Sequence, residues 1–203
     1  MEKILKLKKR NKPFVTGIDG LGGAGKTTFA QELKHHLEMQ REKVVLLHMD
    51  DFIYPRNVRY DGDEEEWRCY YEKQWRFNYL IETIFIPLQL GKTIDQSIEI
   101  YDRKNDGYQL QPIHIEWKTI LLIEGVFIQR QKLKPYFDFV IFLDVPKDIR
   151  LERVLKRDTY IGNREEIATK YERRYFPAEE YYLARCSPIV HADKVKVYTK
   201  IDH

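Results

Sequence analysis

The segment with the most specific chemistry is residues 20–27, which read GLGGAGKT and match the pattern G-x-x-x-x-G-K-[ST]. Glycines allow the backbone N–H groups of such a loop to turn towards a chain of phosphates, and a helix that starts at the loop adds the positive end of its dipole. We expect Lys26 to reach the β and γ phosphates of a nucleoside triphosphate and the Thr27 hydroxyl to bind Mg²⁺. The alternative is a glycine-rich turn that Lys and Thr follow by chance. The predicted phosphate-binding residues are Gly20, Gly22, Gly23, Ala24, Gly25, Lys26, Thr27 and Thr28.

Acidic residues follow two later apolar runs of the chain. Asp50 and Asp51 come after residues 44–48, and Glu124 comes after residues 119–123. In a parallel sheet these positions lie beside the phosphate loop, where a carboxylate can accept a proton from a hydroxyl or bind Mg²⁺. We expect Asp50 to be a general base and a metal ligand, and Glu124 to order Mg²⁺ through water. Asp51 is the alternative base, and the two aspartates can instead cap a turn before Pro55.

A third group of charged residues is basic. Arg150, Arg153 and Arg157 are three and four residues apart, so they lie on one face of a predicted helix. Guanidinium groups in this arrangement can stabilise the charge that spreads over a phosphoryl group during its transfer. We therefore interpret Arg153 and Arg157 as catalytic, together with Lys26. The alternative is a basic face that only contacts solvent.

The elements that must position these residues follow from the hydrophobic pattern. Short apolar runs rich in β-branched residues predict strands, and their nearly continuous hydrophobicity is typical of a parallel sheet covered on both faces. The predicted strands are residues 14–18, 44–48, 119–123, 139–143 and 195–198, and the predicted helices are residues 26–40, 64–85, 147–157 and 165–175. This order predicts a doubly wound α/β domain of the P-loop NTPase class, with a five-stranded parallel sheet and its ligand site at the carboxyl ends of the strands.

One segment departs from the alternation of strand and helix. Residues 97–102 and 109–117 flank a turn that contains Asp106 and Gly107, which favours a β-hairpin. We expect a small β-insert over about residues 93–117 and a lid over about residues 150–165, within a single domain of residues 1–203. The long predicted helix has an apolar stripe that we assign to the core, and Pro87 is expected to end or kink this helix.

Composition limits the classes of function. The chain has 203 residues, 43% of them hydrophobic, and a net charge of +3, which does not favour a role in binding nucleic acid. Cys69 and Cys186 have neither zinc-site nor disulfide spacing, and no run has the length of a signal peptide or a membrane span. We expect a cytoplasmic protein with a small-molecule acceptor and no membrane partner; the hairpin edge permits a homo-oligomer. His48, inside a predicted strand, is expected to be a core histidine.

The motifs outside the phosphate loop narrow the class of NTPase. A GTPase would have an Asn-Lys-x-Asp motif, whereas Asn11-Lys12 is followed by Pro13-Phe14. A compact domain with a general base, an acidic residue for the metal and a set of arginines fits a small-molecule kinase better than a motor or a transporter ATPase.

The order of these motifs resembles the uridine kinase family of P-loop kinases, whose relatives are the phosphoribulokinases and bacterial pantothenate kinases. The similar segments are the phosphate loop, Asp50-Asp51-Phe52, Ile100-Tyr101-Asp102, Glu124-Gly125-Val126, residues 150–158 and Ala192-Asp193-Lys194-Val195. The resemblance implies that Asp50 is the base, that Glu124 supports the metal and that the arginine-rich helix is a lid over the phosphates. Arg164 matches the last arginine of the family's lid, and Gly162 replaces another arginine.

The same resemblance suggests an acceptor pocket. Tyr60 and Asp61 resemble the pair that contacts ribose in uridine kinases, and Tyr101 resembles a tyrosine of the same pocket. The predicted substrate residues are Tyr54, Tyr60, Asp61, Tyr101, Arg150 and Arg164. After Tyr101-Asp102 the family's aromatic residue and histidine are replaced by Arg103-Lys104-Asn105-Asp106; the two basic residues would suit an anionic acceptor, or they are exposed turn charges.

These observations predict a kinase that uses ATP and Mg²⁺ to transfer the γ-phosphoryl group to a hydroxyl of a small metabolite, in the first instance a nucleoside. One alternative is a pantothenate-type kinase or a kinase of another small alcohol. A second alternative is a regulatory protein that binds ATP without turnover, for which the phosphate loop alone would suffice.

Overall fold

A computed structural model describes residues 2–8 and 12–199 of the chain. Its centre is a parallel sheet of five strands in the order β2-β5-β1-β6-β7, beside a separate antiparallel pair β3-β4. The strands are β1 (Phe14–Gly20), β2 (Val44–His48), β3 (Ile94–Asp102), β4 (Gly107–Ile115), β5 (Ile120–Glu124), β6 (Phe139–Asp144) and β7 (Lys194–Val197). The predicted parallel sheet is confirmed, with strand ends within two residues of those expected.

Helices cover both faces of the sheet. One face packs against α1 and α2, and the other packs against the segment after β2, the hairpin and the C-terminal helices. β5 is buried along its whole length because it lies between β1 and β2 with helices above and below it. The helices are α1 (Glu2–Leu7), α2 (Lys26–Met39), α3 (Arg56–Arg59), α4 (Glu66–Arg68), α5 (Phe77–Leu80), α6 (Ile86–Gln89), α7 (Lys147–Arg157), α8 (Arg164–Lys170), α9 (Phe176–Cys186) and α10 (Pro188–His191).

The prediction of one long helix over residues 64–85 is wrong. The chain forms two helical stretches, and the segment between them pairs with the residues that follow β2. Tyr54 N donates to Gln74 O at 2.9 Å, and Arg76 N donates to Phe52 O at 2.8 Å. These backbone hydrogen bonds compensate for the interrupted helix and fix the segment that holds Asp50.

Of the two expectations for Pro87, that it ends or kinks the helix, the first is wrong. Pro87 does not terminate it, because the helix continues to Gln89 after a π-helical turn over Ile81–Phe85. The apolar stripe of these helices is buried, as predicted: its members are Tyr70, Phe77, Ile81, Ile84 and Leu88.

The C-terminal helical region is longer than predicted. The expected helix over residues 165–175 is present as α8 and a π-helical turn, Tyr171–Tyr175, but the chain then continues directly into α9. Pro177 stands in the first turn of α9, directly after this π-helical turn, and the helix continues through it. The extra helix matters because it brings Glu179 and Tyr182 beneath the phosphate loop.

The predicted hairpin is present as β3 and β4, and its turn lies over residues 103–106. Cys69 and Cys186 are free thiols, as expected. Among the described residues there is no helix long and apolar enough to cross a membrane.

The register of the sheet places the charged residues together. His48 at the end of β2 is the register partner of Glu124 at the end of β5, and Ile18 of β1 is the partner of Glu124 on the other side. β1 continues to Gly20, where the phosphate loop begins. The acids predicted from the sequence therefore share one edge of the sheet with this loop.

Candidate active site

The phosphate loop connects β1 to α2 and is shaped by its glycines. Gly25 is the N-cap of α2 with a φ of 87°. Gly23 has a φ of 79°, and a Cβ at this position would stand 2.7 Å from the carbonyl oxygen of Arg150. A side chain at residue 23 would therefore be strained and would collide with α7. The loop thus lies close against α7 with the N-terminus of α2 open towards the expected phosphates.

Lys26 lies over this loop. Its Nζ donates to the carbonyl oxygen of Leu21 at 3.0 Å. Burial lowers the pKa of Lys26, while the charges of Glu124 and Asp50 oppose this shift. The ammonium group is thus held between the loop and the two acids at the edge of the sheet.

Glu124 is held by two donors at one oxygen. The Thr27 hydroxyl donates to Glu124 Oε1 at 2.9 Å, and His48 Nδ1 donates to the same oxygen at 2.7 Å. Burial alone would raise the pKa of Glu124, but His48, Lys26 and Thr27 together hold it below the ordinary value. Glu124 is therefore an ionised carboxylate in direct contact with the predicted Mg²⁺-binding hydroxyl.

The expectation that His48 is a core histidine is wrong. The ring is only half-buried, and its hydrogen bond to Glu124 raises the pKa of His48. The signal in the sequence is that His48 and Glu124 each end an apolar run, and the pairing follows once β2 and β5 are known to be adjacent in this register.

These groups fit a bound magnesium ion. An ionised carboxylate and a hydroxyl converge at one point, and oxygen atoms are the ligands that Mg²⁺ prefers. No group of three or more His, Cys, Asp or Glu with metal-site geometry occurs in the part of the chain that the structure describes. Phosphate and water oxygens would therefore have to complete the coordination sphere, as is usual for Mg²⁺ in nucleotide sites.

Asp50 differs from Glu124 in its surroundings. Its side chain is 62% exposed, and its carboxylate pairs with Arg103 Nη2 at 3.9 Å. Loss of hydration beside the phosphate loop raises the pKa of Asp50; the Glu124 charge adds to this effect, and Lys26 opposes it. Burial also raises the pKa of the neighbouring Asp51, and the charge of His48 opposes that shift. Asp50 is thus an accessible carboxylate with increased basicity.

Asp19 is a buried acid that the sequence reasoning missed. It precedes the phosphate loop and accepts hydrogen bonds from Gly20 N at 2.8 Å, Gln129 Nε2 at 2.8 Å and the Tyr182 hydroxyl at 2.6 Å. Burial raises the pKa of Asp19, and these three donors oppose the shift. The signal for this residue was an aspartate within an apolar strand directly before the glycines.

Arg153 and Arg157 of α7 have different partners. Arg153 Nη1 lies 3.5 Å from the carbonyl oxygens of Gly23 and Ala24, so it faces the loop. Arg157 instead pairs with Asp158 at 2.6 Å. Both remain predicted to act on the transferred phosphoryl group.

The two other arginines with a predicted substrate contact have protein partners in the structure. Arg150 is buried, and its guanidinium donates to Glu179 and to the carbonyl oxygens of Gly22 and Val145. It is therefore occupied by protein atoms. Arg164 is exposed and pairs with Glu152 at 3.1 Å on the outer side of α7. The helical spacing of the arginines in α7 does not separate accessible from buried positions, and Arg150 occupies a buried one. The substrate contact predicted for Arg164, which follows from the family resemblance, stays a prediction.

Several of the predicted acceptor residues contact basic side chains. Tyr101 is buried, and its hydroxyl accepts from Arg59 Nη2 at 2.9 Å and donates to Asp106 at 2.5 Å. The guanidinium of Arg59 also lies 5.6 Å from the ring centre of Tyr60. Asp61 accepts from Lys73 through its backbone oxygen, and Tyr54 lies in the segment that pairs with residue 74.

Arg174 is a further residue of this region that the sequence did not single out. Its guanidinium stands among the rings of Tyr60, Tyr70 and Tyr175 at 4.9, 5.1 and 5.7 Å. Nη2 donates to Gln74, whereas Nε and Nη1 have no hydrogen-bond partner among the described residues. Tyr60 and Arg174 line an open cavity of about 680 Å³, together with Glu66 of α4 and residues of α8.

A comparison with known proteins identifies the family. The model of the Phosphoribulokinase / Uridine kinase family matches residues 15–193. The chain belongs to this family. It is a phosphotransferase that uses an alcohol group as acceptor.

Individual members of the family are moderately similar to this kinase. A uridine kinase of Brevibacillus brevis is 27% identical over 163 residues, which cover 78% of this chain and 73% of that protein. A uridine kinase of Geobacillus is 30% identical over 150 residues, covering 72% and 68%. The structure of a possible uridine kinase from Bacillus stearothermophilus has a TM-score of 0.77 at 35% identity, covering 95% of this chain and 93% of that one.

Proposed function

We propose that this kinase uses ATP and Mg²⁺ to phosphorylate a hydroxyl group of a nucleoside. The observation that supports this most directly is the pair of unlike acids beside the phosphate loop. Glu124 is buried, ionised and bound to Thr27, whereas Asp50 is accessible and has a raised pKa. An ionised acid suits a metal site, and an accessible basic carboxylate suits proton abstraction.

The loop side would bind the triphosphate. The N–H groups of residues 23–28 and the Lys26 ammonium would hold the phosphates, while Thr27 and Glu124 would hold Mg²⁺, with Asp50 beside them. Mg²⁺ would neutralise part of the phosphate charge when it is bound. Asp50 would accept the proton of the acceptor hydroxyl as that oxygen attacks, and Arg153 would face the phosphates from α7.

The nucleoside assignment is supported by the relatives, which are uridine kinases, and by Tyr60 at the edge of the acceptor cavity. An exposed aromatic ring of this kind can stack against a base or pack against a ribose.

A direct test measures ADP formation by purified protein with ATP and Mg²⁺ in the presence of single acceptors. Uridine and cytidine should stimulate ADP release well above the rate without acceptor, and the product should be the nucleoside monophosphate. Binding of ATP without stimulation by any alcohol would instead support the regulatory protein that binds ATP without turnover.

A second candidate acceptor is an alcohol with a carboxylate, as in a pantothenate-type kinase. The observation in its favour is the guanidinium of Arg174 at the acceptor cavity. Arg174 is buried, two of its nitrogens lack a partner among the described residues, and Arg103 reaches the cleft from the hairpin turn. A buried cation of this type favours a nearby anion. Pantothenate and other hydroxy acids should therefore be included in the same screen, and a preference for them over uridine would select this candidate.

A further inference from the structure

A buried ion pair lies directly behind the phosphate loop. Glu179 of α9 and Arg150 of α7 are joined by a contact of 2.8 Å between Oε2 and Nη1, and their side chains are only 4% and 5% exposed. Glu179 Oε1 also accepts from Gly22 N at 2.7 Å, and Arg150 Nη1 donates to Gly22 O at 3.0 Å. Both polar groups of one loop residue are thus held by side chains from two helices.

The fit between this pair and the loop is close. A Cβ on Gly22 would stand 3.0 Å from Glu179 Oε1, so the carboxylate approaches the backbone where a larger residue would push it away. Arg150 is fixed from the other side, because its Nε donates to Val145 O at 3.1 Å at the end of β6. The pair therefore connects the loop, the sheet and the helix that bears Arg153 and Arg157.

Stability alone does not account for such a pair. Apolar residues of similar size in place of a buried ion pair often leave a protein equally stable or more stable, because both charges lose their hydration when buried. Burial in fact raises the pKa of Glu179, and the charge of Arg150 opposes this shift. What apolar residues cannot do is bind the N–H and C=O groups of Gly22 at the same time.

We propose that Arg150 and Glu179 are positioning residues that hold the phosphate loop in its binding conformation and fix the distance between the loop and α7. The proposal rests on the proposed binding of ATP at this loop. It predicts that loss of the pair weakens ATP binding even when the fold is retained.

Two variants distinguish an effect on the position of the phosphate loop from an effect on folding. The double variant R150M/E179M removes both charges together, while Gly22 loses both contacts. Because Gly22 is only partly buried, water can replace these contacts, so the thermal midpoint should fall less than in a variant that leaves one charge unpaired. The single variant E179Q leaves Arg150 buried without a counter-ion, so its midpoint should fall further. Its amide oxygen can nevertheless still accept from Gly22 N. We expect the order of stability and the order of ATP affinity to be opposite in these two variants.

The experiment measures thermal midpoints and the Kd of ATP with Mg²⁺ by titration calorimetry, which needs no acceptor. R150M/E179M should bind ATP about ten- to a hundredfold more weakly than the wild type, and E179Q should lose less. The control is K147M/E180M, which removes an exposed ion pair between the same two helices and should change neither quantity.

Three results would contradict the inference. ATP affinity in R150M/E179M equal to that of the wild type would show that the pair is not needed for the loop. If R150M/E179M and E179Q had the same order in ATP affinity as in thermal midpoint, the pair would act through folding. Wild-type protein that does not bind ATP would refute the proposed function and, with it, this inference.

Discussion

The two sides of the cleft are built in different ways. The phosphate side is formed by one contiguous segment, residues 20–28, in which the phosphate loop leads into the N-terminus of α2 and whose supporting ion pair is buried. The acceptor side is formed by side chains from separate segments: Asp50 after β2, Tyr60 after α3, Arg103 in the hairpin turn and Arg174 before α9. Its ion pair, Arg103 with Asp50, is mostly exposed.

This difference indicates which properties each side determines. A phosphate site built from backbone groups tolerates few substitutions, since its geometry depends on glycines and on a helix N-terminus. Separate side chains can be exchanged one at a time, so the acceptor side can change its substrate without loss of the phosphate site. Asp50 is the exception on the acceptor side, because the chemistry needs a base in any such kinase.

The largest effect is expected from Asp50→Asn. This change removes the proposed base but leaves the phosphate loop intact, so kcat should fall by about two to four orders of magnitude while the Kd of ATP stays nearly constant. Steady-state kinetics with the best acceptor of the screen, together with ATP titration, measures the two quantities. Asp51→Asn is the matched control and should retain most of the activity. Equal losses in both variants, or a larger loss in D51N, would move the base to Asp51.

The next largest effect is expected at His48, the hydrogen-bond partner of Glu124. His48→Ala removes a donor from Glu124, which then has one hydrogen bond fewer to orient it beside Thr27. We expect about a ten- to hundredfold increase in the Mg²⁺ concentration that gives half-maximal rate, as is typical when a residue that orients a metal ligand is lost. A Mg²⁺ titration at saturating ATP measures this. His36→Ala, on the exposed face of α2, serves as the control, and an unchanged requirement for Mg²⁺ in H48A would exclude the role of His48.

The two sides also differ in how well the sequence predicts them. The loop, the strands and Glu124 follow from local patterns, because a glycine motif between a strand and a helix needs only neighbouring residues. His48 and Asp19 were missed because their roles arise from neighbours on other strands and helices. Arg174 lies in a helical region that extends past its predicted end, and its ring contacts join residues more than 100 positions apart in the chain.

A smaller effect is expected from Arg174→Leu, which removes the buried cation from the acceptor cavity. If the acceptor is anionic, its KM should rise about tenfold while the KM of ATP stays constant, because only the acceptor lies near this charge. If the acceptor is a neutral nucleoside, its KM should change less than about threefold. Initial rates with variable acceptor and fixed ATP distinguish the two cases. Lys92→Leu, in the exposed segment before β3 and outside the lining of this cavity, controls for nonspecific loss of positive charge.

The smallest effect concerns the pH dependence of the base. The rate requires Asp50 without its proton, so kcat/KM for the acceptor should decrease as the pH falls through the pKa of this carboxyl. Because that pKa is raised, the decrease should occur at a higher pH than for an ordinary aspartate. The charges of Lys26 and then Arg103 oppose the shift, one from each side of the cleft. Arg103→Gln should therefore move the acidic limb to higher pH, by about 0.2 to 0.7 pH units for an exposed ion pair. Lys104→Gln in the same turn is the control. A limb that moves to lower pH in R103Q, or equally in both variants, would mean that Arg103 does not act on Asp50 and that the hairpin turn contributes only to binding.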